Sequence, residues 1–290
     1  MTVLEEQEWR ARAAAHRTRL ESLLGDYPAR RREGRVHPVE DFLFTYYGHR
    51  PGRLLTWHPG AGVVLAGARG RGPGYVDTPE GATLDLANLL PRRQAFVRWT
   101  RDLLAAISAR PAHLGCFGLH EWAMVYRLEP SEIRHSSWPL RLPPERIADL
   151  LERRGVRCSH FDAFRFFTEP ARPLNVLRPS RENREELEQP GCLHANMDLY
   201  KWAYKLSPLI PGELVADCFA LAGRIRAVDM RASPYDLSGL GYEPIRVETP
   251  EGRAEYAEHQ RDFAEAAVPL RERLVSECDR LLRARDLLPA

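Results

Sequence analysis

Apolar residues recur at three- and four-residue spacing through several long windows of this chain. That spacing marks helices which bury one face and wet the other. Residues 4–24 follow it, with Arg and Glu on the opposite face, and the pattern ends at Gly25-Asp26. The same spacing over 84–107, broken at Pro91, over 213–228, and over 254–282, interrupted near Pro269, predicts three more long helices. Shorter helices are expected at 144–154, where Pro144 suits a first turn, and at 198–206. Pro38 opens another over 39–47, which would bury Phe42, Phe44, Tyr46 and Tyr47 and stop near Gly48. Strand patterns are scarce. Residues 59–79 are rich in Gly and Pro and read as a loop, with Val63-Val64-Leu65 as at most a short strand. Residues 242–247 are a second strand candidate, and 156–167 fit a buried strand or a tight apolar segment equally well. The charge run at 30–35 and the polar stretch at 172–190 read as solvated connectors. The expected fold is mainly α, a single globular helical domain over 1–290 with at most a small sheet. Within it, 1–36 form an N-terminal helix and charged connector, and 37–290 form the core domain.

Composition narrows the function classes. A chain of 290 residues that is 44% hydrophobic can bury a large core. No run approaches the roughly 20 apolar residues of a membrane helix, so no membrane partner is expected. The charged N-terminal stretch shows no export signal, and the expected compartment is the cytoplasm. Five cysteines without a CxxC pair predict free thiols. A net charge of +2 excludes a basic nucleic-acid coat, so any DNA contact must use a local patch. Arginine supplies nearly all the cations. The two lysines, Lys201 and Lys205, stand four residues apart, either as exposed charges on one helix face or as a phosphate contact or reactive amine. No obligate protein partner is evident.

Three segments repeat one composition: Gly115-Cys116-Phe-Gly-Leu-His120-Glu121, Cys158-Ser-His160-Phe-Asp162 and Cys192-Leu-His194-Ala-Asn-Met-Asp198. Each sets Cys, His and a carboxylate in apolar surroundings, where ionisable groups need partners. Convergence of His120, Glu121, His160, Asp162, His194 and Asp198 is therefore expected. Three readings remain open: an acid/base pocket, a zinc or iron site, or hydrogen-bonded core histidines. Trp122, Tyr126, Phe161, Phe164, Phe166 and Phe167 lie beside these positions, as stacking surfaces for a base or as ordinary core.

A second constellation is Leu209-Ile-Pro211-Gly212-Glu-Leu-Val-Ala216, followed by a helix and then Asp229. It resembles the hairpin of helix-hairpin-helix DNA glycosylases. The resemblance implies that Gly212 belongs to a phosphate-gripping turn and that Asp229 is the carboxylate stabilising the sugar cation. The second hairpin glycine is absent, since Glu213 and Leu214 follow, and no lysine suggests a lyase step. The plainer reading is a helix-turn-helix with Asp229 paired to Arg226 or Arg231.

With His37-Pro-Val-Glu-Asp-Phe-Leu-Phe-Thr-Tyr-Tyr47, the 116–127 segment, Ser159-His-Phe-Asp-Ala-Phe-Arg-Phe-Phe167 and 192–201 in view, the chain resembles an actinobacterial family commonly labelled 3-methyladenine DNA glycosylase, from 37 to about 278. The resemblance implies a monofunctional hydrolase of base excision repair that releases alkylated purines from DNA without a cofactor. Asp229 is then the first candidate carboxylate, with Asp162 and Glu121 in reserve. His120, His160, His194 and Asp198 complete the acid/base group. Trp122, Tyr126, Phe161 and Phe164 would hold the base. Gly212, Lys201, Lys205, Arg224, Arg226 and Arg231 would contact DNA. The rival expectation is a metal-dependent enzyme acting on a small metabolite through zinc or iron held by the three segments.

Overall fold

The computed structural model describes residues 1–133 and 137–286. Among these, six helices of at least eleven residues carry a mainly α architecture: α1 (Glu6–Leu24), α2 (Leu86–Ser108), α3 (Pro144–Arg154), α4 (Leu193–Leu206), α5 (Gly212–Arg231) and α6 (Pro250–Asp286). One-turn helices and 3-10 turns fill much of the rest. None of the described helices is long and apolar enough to cross a membrane.

The expected breaks at Pro91 and Pro269 do not occur; both prolines lie inside continuous helices. Each removes one backbone hydrogen bond, a cost of about 3 kcal/mol. In α2 the buried stripe of Leu90, Val97, Leu103, Leu104 and Ile107 runs past that defect, and in α6 Phe263, Ala267, Leu274, Cys278 and Leu281 do the same. Packing of the apolar face, not propensity, decides helix length here. α2 starts at the Asp85 cap, whose side chain accepts the Asn88 amide.

The sheet has four short strands in the order β1-β2-β4-β3: β1 (Thr2–Leu4), β2 (Val63–Ala66), β3 (Tyr75–Asp77) and β4 (Gly81–Leu84). β1 runs parallel to β2, and the other pairs are antiparallel. Leu4 thus leaves the expected helix, and Thr2, Val3 and Leu4 pair with Val63, Val64 and Leu65. The expected 59–79 loop holds two of the four strands, β2 and β3. A Cβ at Gly81 would lie 1.9 Å from the Leu65 carbonyl oxygen, so the close strand approach requires glycine there.

Other local expectations are corrected by tertiary partners. Residues 27–32 form a helical turn, and Arg30 is buried in an ion pair with Asp41 at 2.9 Å, so it leaves the expected solvated run, whereas 31–35 are exposed. The 39–47 helix shrinks to Phe42–Thr45. No strand forms at 242–247, and 156–167 hold one bridge, Val156 to Asn175, and a single turn, Phe161–Phe164. α4 begins five residues before the expected start, at Leu193.

α4 is the axis of the fold, packed between α5 and α6. Thirteen of its fourteen residues are buried, yet they include His194, Asn196, Asp198 and Lys201. A helix enclosed on all sides can keep such groups only if each finds a polar partner. Asn196 finds Arg271, itself 1% exposed, at 2.5 Å. The partners of the other three make the site.

His49 stacks on Tyr204 with ring centroids 3.7 Å apart, and neither ring nitrogen is hydrogen-bonded among the described residues. Burial, with the charges of Lys205 and Arg53, holds its pKa down to about 3. Below about pH 6.5 the unfolded chain binds a proton here that the folded chain refuses, so stability present above that value is lost as pH falls toward 3. At pH 5 this amounts to about 2 kcal/mol. His49→Phe keeps the stack and removes the proton. Its melting temperature is expected to gain on the wild type by a few degrees between about pH 8 and pH 5; a gap that does not change with pH refutes the assignment.

Candidate functional site

The three Cys–His–acid segments converge. On α4, His194, Asp198 and Lys201 follow at four- and three-residue steps and share one face. On α5, Arg226 and Asp229 are one turn apart and face α4. The turn Leu119–Ala123 delivers His120 and Glu121, and His160 and Asp162 flank the start of the turn Phe161–Phe164.

Two clusters result. In the inner one, His120 Nε2 lies 3.0 Å from Asp229 Oδ1. Arg226 Nη1 donates to Asp229 Oδ2 at 2.7 Å and to Glu121 Oε1 at 3.0 Å. His194 Nε2 stands 3.9 Å from Asp229 Oδ2. In the outer one, Lys201 Nζ donates to Asp162 Oδ2 at 2.6 Å and to Asp198 Oδ2 at 2.9 Å. Tyr47 donates its hydroxyl to Asp198 Oδ1 at 2.6 Å, and His160 Nε2 lies 3.3 Å from Asp198 Oδ2. Arg184 bonds Asp162 and, through Nε, Glu188 Oε1 at 2.9 Å. Ring contacts join the clusters: His120 to His194 at 4.6 Å, and His194 to His160 at 5.4 Å.

Five carboxylates, Glu121, Asp162, Glu188, Asp198 and Asp229, thus meet four fixed cations, Arg165, Arg184, Lys201 and Arg226. Protonation must absorb the difference. Burial pushes Glu121 and Glu188 up. Burial also opposes charge on His120, but Asp229 and the contact with Cys116 outweigh it and hold this imidazole well above its ordinary value. His194 is driven the other way, to about 3, by burial and by its neighbours His120, His160 and Arg226. Burial is outweighed at Asp229 by His194, His120 and Arg226, and at Asp198 by Lys201, His160 and Arg184; both stay ionised below the usual carboxylate range. Asp162 is also held down, by Lys201 and Arg184 against burial.

Two donor sets bring their ligand atoms within 4.8 Å of one another: His120, Glu121, His194 and Asp229, and His160, Asp162 and Asp198. Both fit zinc or iron poorly. Arg226 already binds the two carboxylates of the first set, and Lys201 bridges the two carboxylates of the second. A metal would have to displace a buried cation in each case.

The clusters differ in access. Asp229 is fully buried and is not among the residues that line the cavity of the outer cluster, so it does not face that cleft. Its partner is Arg226, as the plainer reading of that segment has it, and Arg226, 2% exposed, is out of reach of a phosphate. The Gly212 amide donates to the His58 carbonyl at 2.8 Å, and a Cβ at Gly212 would lie 3.0 Å from the Trp57 ring. That turn is packed inside the protein and cannot grip DNA. The outer cluster, by contrast, forms the back of a cavity of about 520 Å³. Asp162, Arg184 and Lys201 face it, with the rings of Tyr46, Tyr47, Phe96, Trp99, Phe161 and Trp202 as walls, and Arg165, Arg181 and Lys205 around them.

The remaining expected contacts separate in the same way. Phe161 lines the cavity, whereas Phe164 packs on Phe167 at 5.1 Å. Trp122 is core, with its indole N–H bonded to the Ala232 carbonyl, and Tyr126 is buried, with its hydroxyl on Glu152. Arg231 is engaged by Glu255 and the Glu243 carbonyl. Arg224 is exposed but borders a different cavity, beside Tyr242. Sequence reasoning missed Arg184 and Glu188, whose four-residue spacing inside a supposed polar loop was the available signal. It placed Tyr46 and Tyr47 in the core and gave Trp99 and Trp202 no role. Compared with known protein families, curated proteins and solved structures, the chain finds no match.

Arg226→Met leaves Asp229 and Glu121 buried without their cation. The expected loss is about 3–5 kcal/mol in chemical denaturation, and an unchanged midpoint refutes the ion-pair description. Protein purified without added metal is expected to hold zinc or iron far below one ion per chain in elemental analysis. A full equivalent that Asp198→Asn removes would show that a metal, not Lys201, balances these acids.

Proposed function

We propose that the protein hydrolyses the N-glycosidic bond of a nucleotide unit carrying an alkylated purine, with Asp162 as the carboxylate beside the sugar. The observation that carries this reading is a single ionised carboxylate facing a cavity walled by aromatic rings and ringed by cations. An extruded base needs flat faces to replace its lost stacking. The rings of Tyr46, Tyr47, Trp99 and Trp202 line this cavity, each pair meeting edge to face with centroids 5.0 Å apart. As the base leaves, positive charge develops on the sugar, and a fixed carboxylate stabilises it. Lys201 and Arg184 bind Asp162 and hold it in one orientation.

Charge selects the form of the substrate. Five cations face the cavity against one carboxylate. Such a site attracts a phosphate, so the base enters as part of a phosphate-bearing unit, with Arg165, Arg181 and Lys205 as phosphate contacts. The strings that resemble the family labelled 3-methyladenine DNA glycosylase support the same reading. They supply Tyr46, Tyr47, Phe161, Asp162, Arg165 and Lys201 to this cavity.

Base release is to be measured from alkylated duplex DNA, alkylated single strands and a methylated purine mononucleotide. Asp162→Asn is expected to lower kcat by about a hundredfold or more, with a melting curve that shows a folded protein. Lys205→Ala is expected to raise KM and to flatten its salt dependence. A wild type that frees no base from any of the three substrates sinks the reading. A folded Asp162→Asn with full activity sinks the assignment of the carboxylate.

A further inference from the structure

We infer that Cys116, His120 and Asp229 form a second reactive centre, a cysteine nucleophile with its base and a positioning carboxylate, which opens into a cavity of its own. Cys116 Sγ lies 3.5 Å from His120 Nδ1, and the other ring nitrogen, Nε2, lies 3.0 Å from Asp229 Oδ1. A carboxylate on one side of an imidazole and a thiol on the other fix the ring's orientation and let it take the thiol proton. Asp229, unable to face a substrate, is well placed for this role.

Access supports the assignment. Cys116 is half-buried, whereas Cys158, Cys192, Cys218 and Cys278 are buried. It lines a cavity of about 580 Å³ that shares no lining residue with the aromatic one. Leu114, Val176, Leu177 and Leu187 make that cavity largely apolar. Immediately after Cys116 the chain turns through two left-handed residues, Phe117 at φ 48° and Gly118 at φ 71°. The non-glycine member costs about 1–3 kcal/mol. The turn brings His120 back beneath the thiol, with the Cys116 carbonyl accepting the Leu119 amide. The groups facing the Cys116–His120 pair are Asp229 and Arg226 from α5, His194 and the Cys192 thiol from α4's start, Glu121 from the same turn, Cys158, and Tyr256 from α6.

The chemistry that fits is acyl transfer from an ester, thioester or amide with an apolar acyl group. His120 carries the proton of Cys116 as an imidazolium facing Asp229, and the thiolate adds to the carbonyl carbon, forming a C–S bond while the π pair moves to oxygen. As the pair returns, the bond to the leaving group breaks. The leaving group takes the proton from His120, and S-acyl Cys116 remains. Water, deprotonated by His120, then adds to the thioester and releases the carboxylic acid, and the cysteine sulfur leaves as the thiolate beside the re-formed imidazolium.

The test uses the full-length protein with two probes and peptide mass spectrometry. With iodoacetamide near pH 6, where an isolated thiol is largely protonated, Cys116 is expected to react at least about tenfold faster than the buried cysteines and than free glutathione. Asp229→Asn is expected to move the pH profile of this reaction toward that of glutathione, which loss of a purely structural contact would not do. p-Nitrophenyl butyrate is expected to leave a butyryl group on the Cys116 peptide, absent in Cys116→Ala. A wild-type profile that matches glutathione overturns the inference, as does failure of the ester to acylate Cys116. If Asp229→Asn does not fold, the wild-type profile and the Cys116→Ala control decide alone. Base release in the glycosidase assay is independent of all these outcomes, because Cys116→Ala leaves the aromatic cavity untouched.

Discussion

A helix buried on every side cannot carry His194, Asp198 and Lys201 unless the surrounding elements supply their partners, and that requirement on α4 organises the molecule. α5 answers His194 with Asp229, the turn at Phe161–Phe164 answers Lys201 with Asp162, and the segment before it answers Asp198 with His160. Each of these partners is itself ionisable and buried, so each needs a further one: Arg226 for Asp229, Arg184 for Asp162 and Glu188. The network closes only when six separate stretches of chain are in register. Loss of one member leaves a buried charge uncompensated, which costs more than the pair contributes.

The same requirement explains what was legible in the sequence. Histidine and carboxylate repeated three times in apolar surroundings forecast convergence, because buried ionisable groups need partners. Helical periodicity likewise forecast α3 within its observed bounds and the body of α2, α5 and α6. Periodicity does not report which member of a buried cluster faces solvent. Asp229 and Asp162 look alike in sequence; one is sealed beneath Arg226 and the other lines a cavity, and only the packing of the turn at Phe161–Phe164 against α4 separates them. β1 was lost because three residues are too few for an alternating pattern to register. Arg30 was read as solvated because its partners, Glu40 and Asp41, lie across a turn that charge counting does not see.

The phosphate-gripping turn inferred around Gly212 failed for a related reason. A Pro-Gly junction between helices serves a ligand only if its amides point to solvent. Here the amide is bound to the His58 carbonyl, and the flanking Leu209 and Ile210 are fully buried. The cationic surface needed for phosphate lies instead around the aromatic cavity, on Arg165, Arg181 and Lys205. It is a small patch, which agrees with a chain whose net charge is only +2.

Two chemically different cavities therefore draw on one interior network, and the histidines determine whether they influence each other. The rings of His120, His194 and His160 run in sequence between them, with centroid distances of 4.6 and 5.4 Å. A proton on His194 would couple the two ends, but it would sit, fully buried, among His120, His160 and Arg226. With its pKa at about 3, His194 stays neutral throughout the physiological range. It separates the charge on His120 from the carboxylates around Lys201. Protonation at the thiol centre then changes the Cys116–His120–Asp229 unit and leaves Asp162 as it was, so one scaffold can hold an imidazolium on one side and an ionised catalytic carboxylate on the other without the two titrating as a pair.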